Sequence, residues 1–264
     1  MPSRLSCTKP GDNWTSSEQA PVIRYPKPSF GIESGVAMPP STTYRNFLLL
    51  QFFYMVSFPL MNMLGLWGDI LELTLGVGLL TAGLLLSAGR KRRVVSTILI
   101  ALLVLVLWTL EVMNPSERWL ALTREFIFIF FFARVIFVMA HHVFLSPRVR
   151  TSDRLYGAVS IYLMISAFFG SMYTLTALII PNAFDCTLSL CGGDVSFYLR
   201  NGGNLYFSLI TLTTLGYGDI TPLNPFAGML SSLEALIGQM YVAVVVARLV
   251  GLHLMENPSQ RPTP

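Results

Sequence analysis

The chain has 264 residues, 53% of them hydrophobic and 12% charged, with a mean hydropathy of +0.59. A soluble domain carries roughly 25% charged residues, so the composition excludes an ordinary water-soluble domain and makes a bilayer the expected solvent. The formal charge of +4 does not point to nucleic acid, because the 18 Lys and Arg residues fall between apolar stretches rather than along one stripe.

Residues 1–45 are polar, rich in Pro and Ser, and lack a charged segment followed by a short apolar core. They are expected to be a disordered cytoplasmic leader rather than a cleaved signal. Apolar runs follow at 46–64, 70–88, 94–113, 121–145, 155–180 and 226–252. Each is about long enough to cross a hydrocarbon core of about 30 Å at about 1.5 Å per helical residue. The stretch 203–214 is too short to cross, and its place between the last two runs predicts a re-entrant helix. Irregular backbone after it must be shielded by protein or face water. The expected fold is an all-α integral membrane protein with six transmembrane helices and a re-entrant helix. Residues 46–145 form a four-helix peripheral bundle, 146–154 a basic cytoplasmic linker, 155–253 the domain around the re-entrant segment, and 254–264 a short cytoplasmic tail.

Loop charges orient the chain, since Lys and Arg in short loops favour the cytoplasm. Arg90, Lys91, Arg92 and Arg93 separate the second and third runs, and Arg148, Arg150 and Arg154 separate the fourth and fifth. The turn at 65–69 has no basic residue and that at 114–120 has only Arg118. A multi-pass protein of the cell membrane is expected, with both termini cytoplasmic and residues 181–225 outside.

The fourth run carries only Arg124 and Arg134. A voltage-sensing helix repeats basic residues every third position, each charge moved being worth about 2.3 kcal/mol per 100 mV. No voltage sensor is therefore expected. Arg124 is expected to snorkel with Glu125 near the outer interface, and Arg134 to pair with an intramembrane carboxylate, Glu72 or Glu111.

After the re-entrant helix comes Thr213-Thr214-Leu215-Gly216-Tyr217-Gly218-Asp219. Stripping water from a potassium ion requires oxygen ligands in return, and stacked rings of backbone carbonyls supply them when four copies surround one axis. Such a backbone alternates between left- and right-handed conformations, which accounts for Gly216 and Gly218. Thr214 adds its hydroxyl as the innermost ring. Leu215 and Tyr217 are expected to point away and pack against the pore helix, with Thr211 a candidate partner for the Tyr217 hydroxyl and Tyr206 or Phe207 an aromatic wall. Asp219 stands at the mouth.

Thr211-Leu212-Thr213-Thr214-Leu215-Gly216-Tyr217-Gly218-Asp219 resembles the potassium channel signature Thr-x-Thr-Thr-x-Gly-Tyr-Gly-Asp. The resemblance extends over 155–252, the outer helix, pore helix, filter and inner helix of the two-helix bacterial ion-channel pore domain. It implies a homotetramer around one central pore, passive potassium conduction, and ion binding at Thr214, Leu215, Gly216, Tyr217 and Gly218, with Thr211, Thr213 and Asp219 as support. Potassium is the permeant ion, and neither a cofactor nor another metal is called for. Two departures stand out. Leu215 replaces the commoner Val or Ile, and Ile210 stands where some members carry a carboxylate bound to the mouth Asp.

On the last helix, Gly238 lies 20 residues after Gly218, at the family's hinge distance. It serves either as a hinge or as a point of close helix contact. Glu234, one turn earlier, either concentrates cations in a cavity or ties the inner helix to the filter support. Arg248 is expected to snorkel to headgroups. Cys186 and Cys191 are spaced for a local disulfide or remain two thiols. The adjacent His141 and His142 diverge by about 100° on a helix and make a poor joint metal site.

No paired-carboxylate or Ser/His arrangement supports an enzyme, and one broken element does not match the inverted halves of a transporter. The readings left open are a potassium-selective channel, a less selective cation channel of the same architecture, and a non-conducting membrane scaffold or accessory subunit. The partners common to the channel readings are permeant ions, lipid and further copies of the chain.

Overall fold

The computed structural model describes residues 42–63, 117–145, 151–187 and 195–256, with isolated positions between 76 and 114 and at 191. The expected span 70–88 falls outside these residues except at Gly76, half of the positions of 94–113 do, and 1–41, 146–150 and 257–264 lie wholly outside.

The apolar runs that fall within the described residues become helices. α1 spans Thr42–Met63, α2 spans Arg118–Ala140 and continues through one π-helical turn at His141–Leu145, and α3 spans Thr151–Ile179. A short strand β1, Phe184–Cys186, leads to α4, Val195–Tyr198, and a second π-helical turn at Leu199–Gly203. The short stretch expected to be re-entrant forms helix α5, Asn204–Leu212. After residues 213–219 come strand β2, Ile220–Pro222, and the long helix α6, Pro225–Glu256. Helix begins earlier than the apolar runs alone indicate. Thr42–Arg45 belong to α1 rather than to a disordered leader, and residues 151–154 are the first turn of α3 rather than linker. Polar residues extend a helix once its apolar face is anchored.

Among the described residues, three helical stretches are long and apolar enough to cross a membrane: Arg118–Leu145, Ser152–Ile179 and Pro225–Arg248. In the most apolar window of the second, 56% of residues are buried, against 22% in the other two. α3 is therefore the central post. Its stripe Ile161, Ile165, Phe169, Tyr173, Ala177 is buried at four-residue spacing, and α2 answers with Phe131, Val135, Met139 and Val143. Gly157 lets α2 and α3 approach, since a Cβ there would collide with Val143 Cγ2. At the other end of α3, Tyr173 meets Phe207 of α5 edge-to-face at 4.7 Å, and Phe184 of β1 completes the aromatic cluster.

α6 starts where its sequence says it should. Asn224 Oδ1 accepts from the Phe226 backbone N–H at 2.8 Å, and Pro225 occupies the first helical position.

Candidate functional site

The segment between α5 and β2 has an unusual backbone. Thr214, Gly216 and Gly218 have positive φ values of 58°, 53° and 78°. The two glycines fit this conformation, and an added Cβ at either would meet nothing within 4 Å. The demand for glycine here therefore comes from φ rather than from space. Thr214 is the anomaly, because a β-branched residue at positive φ is strained by about 1–3 kcal/mol. Hydrogen bonds hold it. The Thr214 N–H donates to the Thr211 carbonyl at 2.9 Å and the Gly216 N–H to the Ile210 carbonyl at 3.1 Å. Gln239 of α6 donates from Nε2 to the Thr214 hydroxyl at 3.2 Å. The hydroxyls of Thr211 and Thr213 turn back onto α5, to the carbonyls of Phe207 at 2.8 Å and Leu209 at 2.6 Å.

Two packing expectations need correction. Within the single chain no hydrogen bond joins Tyr217 to Thr211, whose own proton goes to the Phe207 carbonyl. Leu215 and Tyr217 do not bury themselves against their own pore helix, being 55% and 67% exposed in the single chain.

The outer end of the segment is clamped. β1 and β2 pair antiparallel, with Phe184 opposite Pro222 and Cys186 opposite Ile220. The Cys186 and Cys191 sulfurs are joined in a disulfide, with Cα atoms 6.4 Å apart. Thr187 donates its backbone N–H to the Asp219 carbonyl at 2.9 Å. Asp219 also has a side-chain partner despite Ile210, because the Tyr206 hydroxyl donates to its Oδ2. Burial, and then the bond to Asp219, push the Tyr206 phenol above its ordinary value, so it remains a donor through neutral pH.

The inner helix is tied to the same unit. Glu234 is fully buried, accepting from Tyr173 of α3 at 2.5 Å and from Ser208 of α5. Its carboxylate thus faces α3 and α5 and ties α6 to both. Gly238 sits against the end of α5. A Cβ there would collide with the Leu212 carbonyl oxygen and lie 2.9 Å from Leu212 Cδ1. Tyr162 donates to that same carbonyl at 3.2 Å.

Arg248 has a partner within the chain. Its Nη2 donates to the Phe144 carbonyl in the π-helical turn after α2, and its guanidinium lies 5.3 Å from the Phe144 ring centroid. Arg124 pairs with Glu125 at 2.8 Å, and the pair is buried within the chain, with residue exposures of 8% and 2%. Glu72 and Glu111 lie outside the described residues. Among the described residues no His, Cys, Asp or Glu cluster could hold a metal ion.

Residues 159–252 match the protein family described as Ion channel. The chain is 35% identical over 95 residues to two pore potassium channel c of Oryza sativa subsp. japonica, covering 30% of this chain and 21% of that protein. It is 36% identical over 72 residues to the inward rectifier potassium channel Kirbac3.1 of Paramagnetospirillum magnetotacticum, covering 26% and 24%. Over 58 residues it is 36% identical to the potassium voltage-gated channel protein shk-1 of Caenorhabditis elegans, covering 20% and 11%. The chain thus spans a quarter or less of the length of each of these relatives. No solved structure matches it. Together the family match and these relatives support a potassium channel pore-domain family for this part of the chain, and its apolar helices are those of a membrane protein.

Sequence reasoning overlooked several residues of the site. Ser208 and Tyr173 lie 26 and 61 residues from Glu234, with no local pattern to announce them. Tyr206 was legible only as an aromatic wall, although its distance of 13 residues from Asp219 is fixed by the short helix between them. Gln239 carried a signal, since an amide beside Gly238 on a helix needs a polar partner.

Proposed function

We propose that the chain is the subunit of a potassium-selective channel, assembled as a homotetramer with six transmembrane helices per subunit and both termini cytoplasmic. The observation that carries this reading is the alternation of positive φ at Thr214, Gly216 and Gly218 in the segment joining α5 to α6. In four copies around one axis, the carbonyls of Thr214, Leu215, Gly216 and Tyr217 form stacked oxygen rings that replace the ion's hydration shell. The Thr214 hydroxyl, positioned by Gln239, adds the innermost ring, and Gly218 ends the run. Thr211 and Thr213 brace the helix behind it, and Asp219 holds the mouth.

The tetramer is supported by what one chain leaves uncovered. Leu215 and Tyr217 are more than half exposed on a segment otherwise fixed by hydrogen bonds. A neighbouring copy buries them at the subunit boundary. Gating by voltage is not part of the proposal, because α2 carries Arg124 and Arg134 without the regular array that a membrane field would move.

Purified full-length protein in liposomes tests the reading through reversal potentials in opposed potassium and sodium gradients. A potential that follows potassium is the expected result. One that responds equally to sodium would assign the chain to less selective cation channels, and absence of any flux would favour a scaffold or accessory subunit.

A further inference from the structure

Glu234 sits where an ionised carboxylate is expensive. It is fully buried, and among the described residues no ion pair joins it to a cation. Within electrostatic reach on α3 are the phenols of Tyr162 and Tyr173. α5 presents the Ser208 hydroxyl, and Ser231 on α6 turns its own hydroxyl to the Ala227 carbonyl. None of these brings a positive charge. Burying an uncompensated charge costs far more than burying a neutral acid whose hydrogen bonds are made.

The contacts of Ser208 show where a proton must be. Its Oγ lies 2.7 Å from the Ser166 carbonyl oxygen and also within hydrogen-bond distance of Glu234 Oε1. A serine hydroxyl has one proton and two lone pairs. Beside a carboxylate, Ser208 would face two acceptors with that single proton, and one contact would be a bare approach of two oxygens. The Ser166 carbonyl has no proton to give, so the second proton belongs to Glu234. Tyr173 already donates to Oε2 at 2.5 Å, which leaves Oε1 to carry it.

We propose that Glu234 is a neutral acid whose Oε1 proton is given to Ser208, and that this proton fixes α5 between α3 and α6. Ser208 in turn donates to Ser166, so each polar group in the chain of contacts is satisfied. Close behind Ser208 come Ile210 and Thr211, whose carbonyls accept from Gly216 and Thr214. Withdrawing the proton makes Ser208 choose between Ser166 and Glu234, which frees α5 from one neighbour and lets those carbonyls shift. Glu234 is therefore a positioning residue for the filter, whose hold is present on the acid side and lost as pH rises. The consequence for conduction rests on the channel reading above, whereas the proton itself does not.

Infrared difference spectroscopy of the purified full chain in bilayers reads the proton directly, as the C=O stretch of a protonated carboxyl. The expected band is present at neutral pH, shifts in deuterium oxide, is lost in Glu234→Gln and is displaced in Ser208→Ala. Its absence, or its survival in Glu234→Gln, would overturn the proposal, and a band that Ser208→Ala leaves unmoved would do the same. Size exclusion identifies folded variants, and the Ser208→Ala displacement decides if Glu234→Gln is not among them. Liposome flux tests the positioning role. The amide of Glu234→Gln can donate to Ser208 and accept from Tyr173, so this variant should keep the wild-type potassium preference and retain it at alkaline pH, where the wild type loses it. A preference that falls alike in both proteins, or that survives in the wild type once the band has titrated away, would overturn that role. A chain showing the band without any flux would keep the proton and sink the channel reading.

Discussion

Around the filter, helices are joined by polar groups that leave few donors to chance. Glu234 takes bonds from α3 and α5, Tyr206 reaches Asp219, Gln239 reaches Thr214, and Thr187 fastens the turret ribbon to the Asp219 carbonyl. Between α2 and α3 the contact is chiefly apolar, with Phe131, Val135, Met139 and Val143 stacked along one face. In lipid, apolar packing between helices has no hydrophobic drive behind it, so shape alone holds such an interface. Polar ties instead specify one arrangement, since every alternative strands a buried group. The contrast suits a part that must keep sub-ångström geometry beside a part that only needs to stay attached.

The largest effect is expected at Glu234. Glu234→Leu leaves the Tyr173 hydroxyl facing an apolar side chain, a buried orphan costing roughly 1–3 kcal/mol, while the Ser208 hydroxyl keeps the Ser166 carbonyl at 2.7 Å but loses its tie to α6. A loss of about 3 kcal/mol in unfolding of the purified protein is the expectation, while Val135→Ala in the apolar interface should cost about 1–2 kcal/mol. Equal losses at the two positions would break the contrast between the regions.

Gly238 comes next, and it separates two roles that sequence left open. Gly238→Ala drives a methyl group into the Leu212 carbonyl, an overpacking worth about 1–3 kcal/mol. Close contact predicts reduced thermal stability together with disturbed selectivity, because α5 must shift. A hinge predicts altered open probability at unchanged stability, and that outcome would remove the packing role.

Gly238 also illustrates how much of the molecule was legible beforehand. Periodicity and loop length located α2, α3, α5 and α6, because apolar runs report their own burial locally. The alternation at Gly216 and Gly218 was legible for the same reason: its cause lies in φ at those residues. Whether Gly238 bends or packs depends on Leu212, which is 26 residues away and reached only by folding. The Glu234 tie, the β1–β2 ribbon and the Arg248 contact are long-range in the same sense. The burial of Arg124 was not legible because a position near a helix end gives no account of what packs around it.

A smaller change is expected from Tyr206→Phe, which removes the donor to Asp219 while keeping the ring. A partly exposed bond of this kind is worth about 1 kcal/mol, so the protein should fold and its potassium-to-sodium preference should fall. The pH profile supplies a sign. The Tyr206 phenol is raised above its ordinary value of 10.0, so its contribution is complete below pH 10 and is lost only as pH climbs through the higher folded value. Selectivity that decays already between pH 7 and 9 in the wild type, and not in Tyr206→Phe, would contradict this assignment.

The smallest effect tests whether the two regions communicate at all. Arg248 makes two contacts with Phe144, a hydrogen bond to its carbonyl and a cation–ring contact, and they respond to different substitutions. Phe144→Leu removes the ring but keeps the carbonyl, whereas Arg248→Lys keeps a donor but loses the flat guanidinium. At an exposed site each is expected to cost less than about 1 kcal/mol. A double-mutant cycle on unfolding should show a coupling of about 0.5 kcal/mol or more if the ring contact is specific. Additive losses would leave the carbonyl bond as the sole link between Arg248 and the end of α2. In that case the peripheral helices hold the inner helix by its backbone neighbour, and the aromatic ring merely covers it.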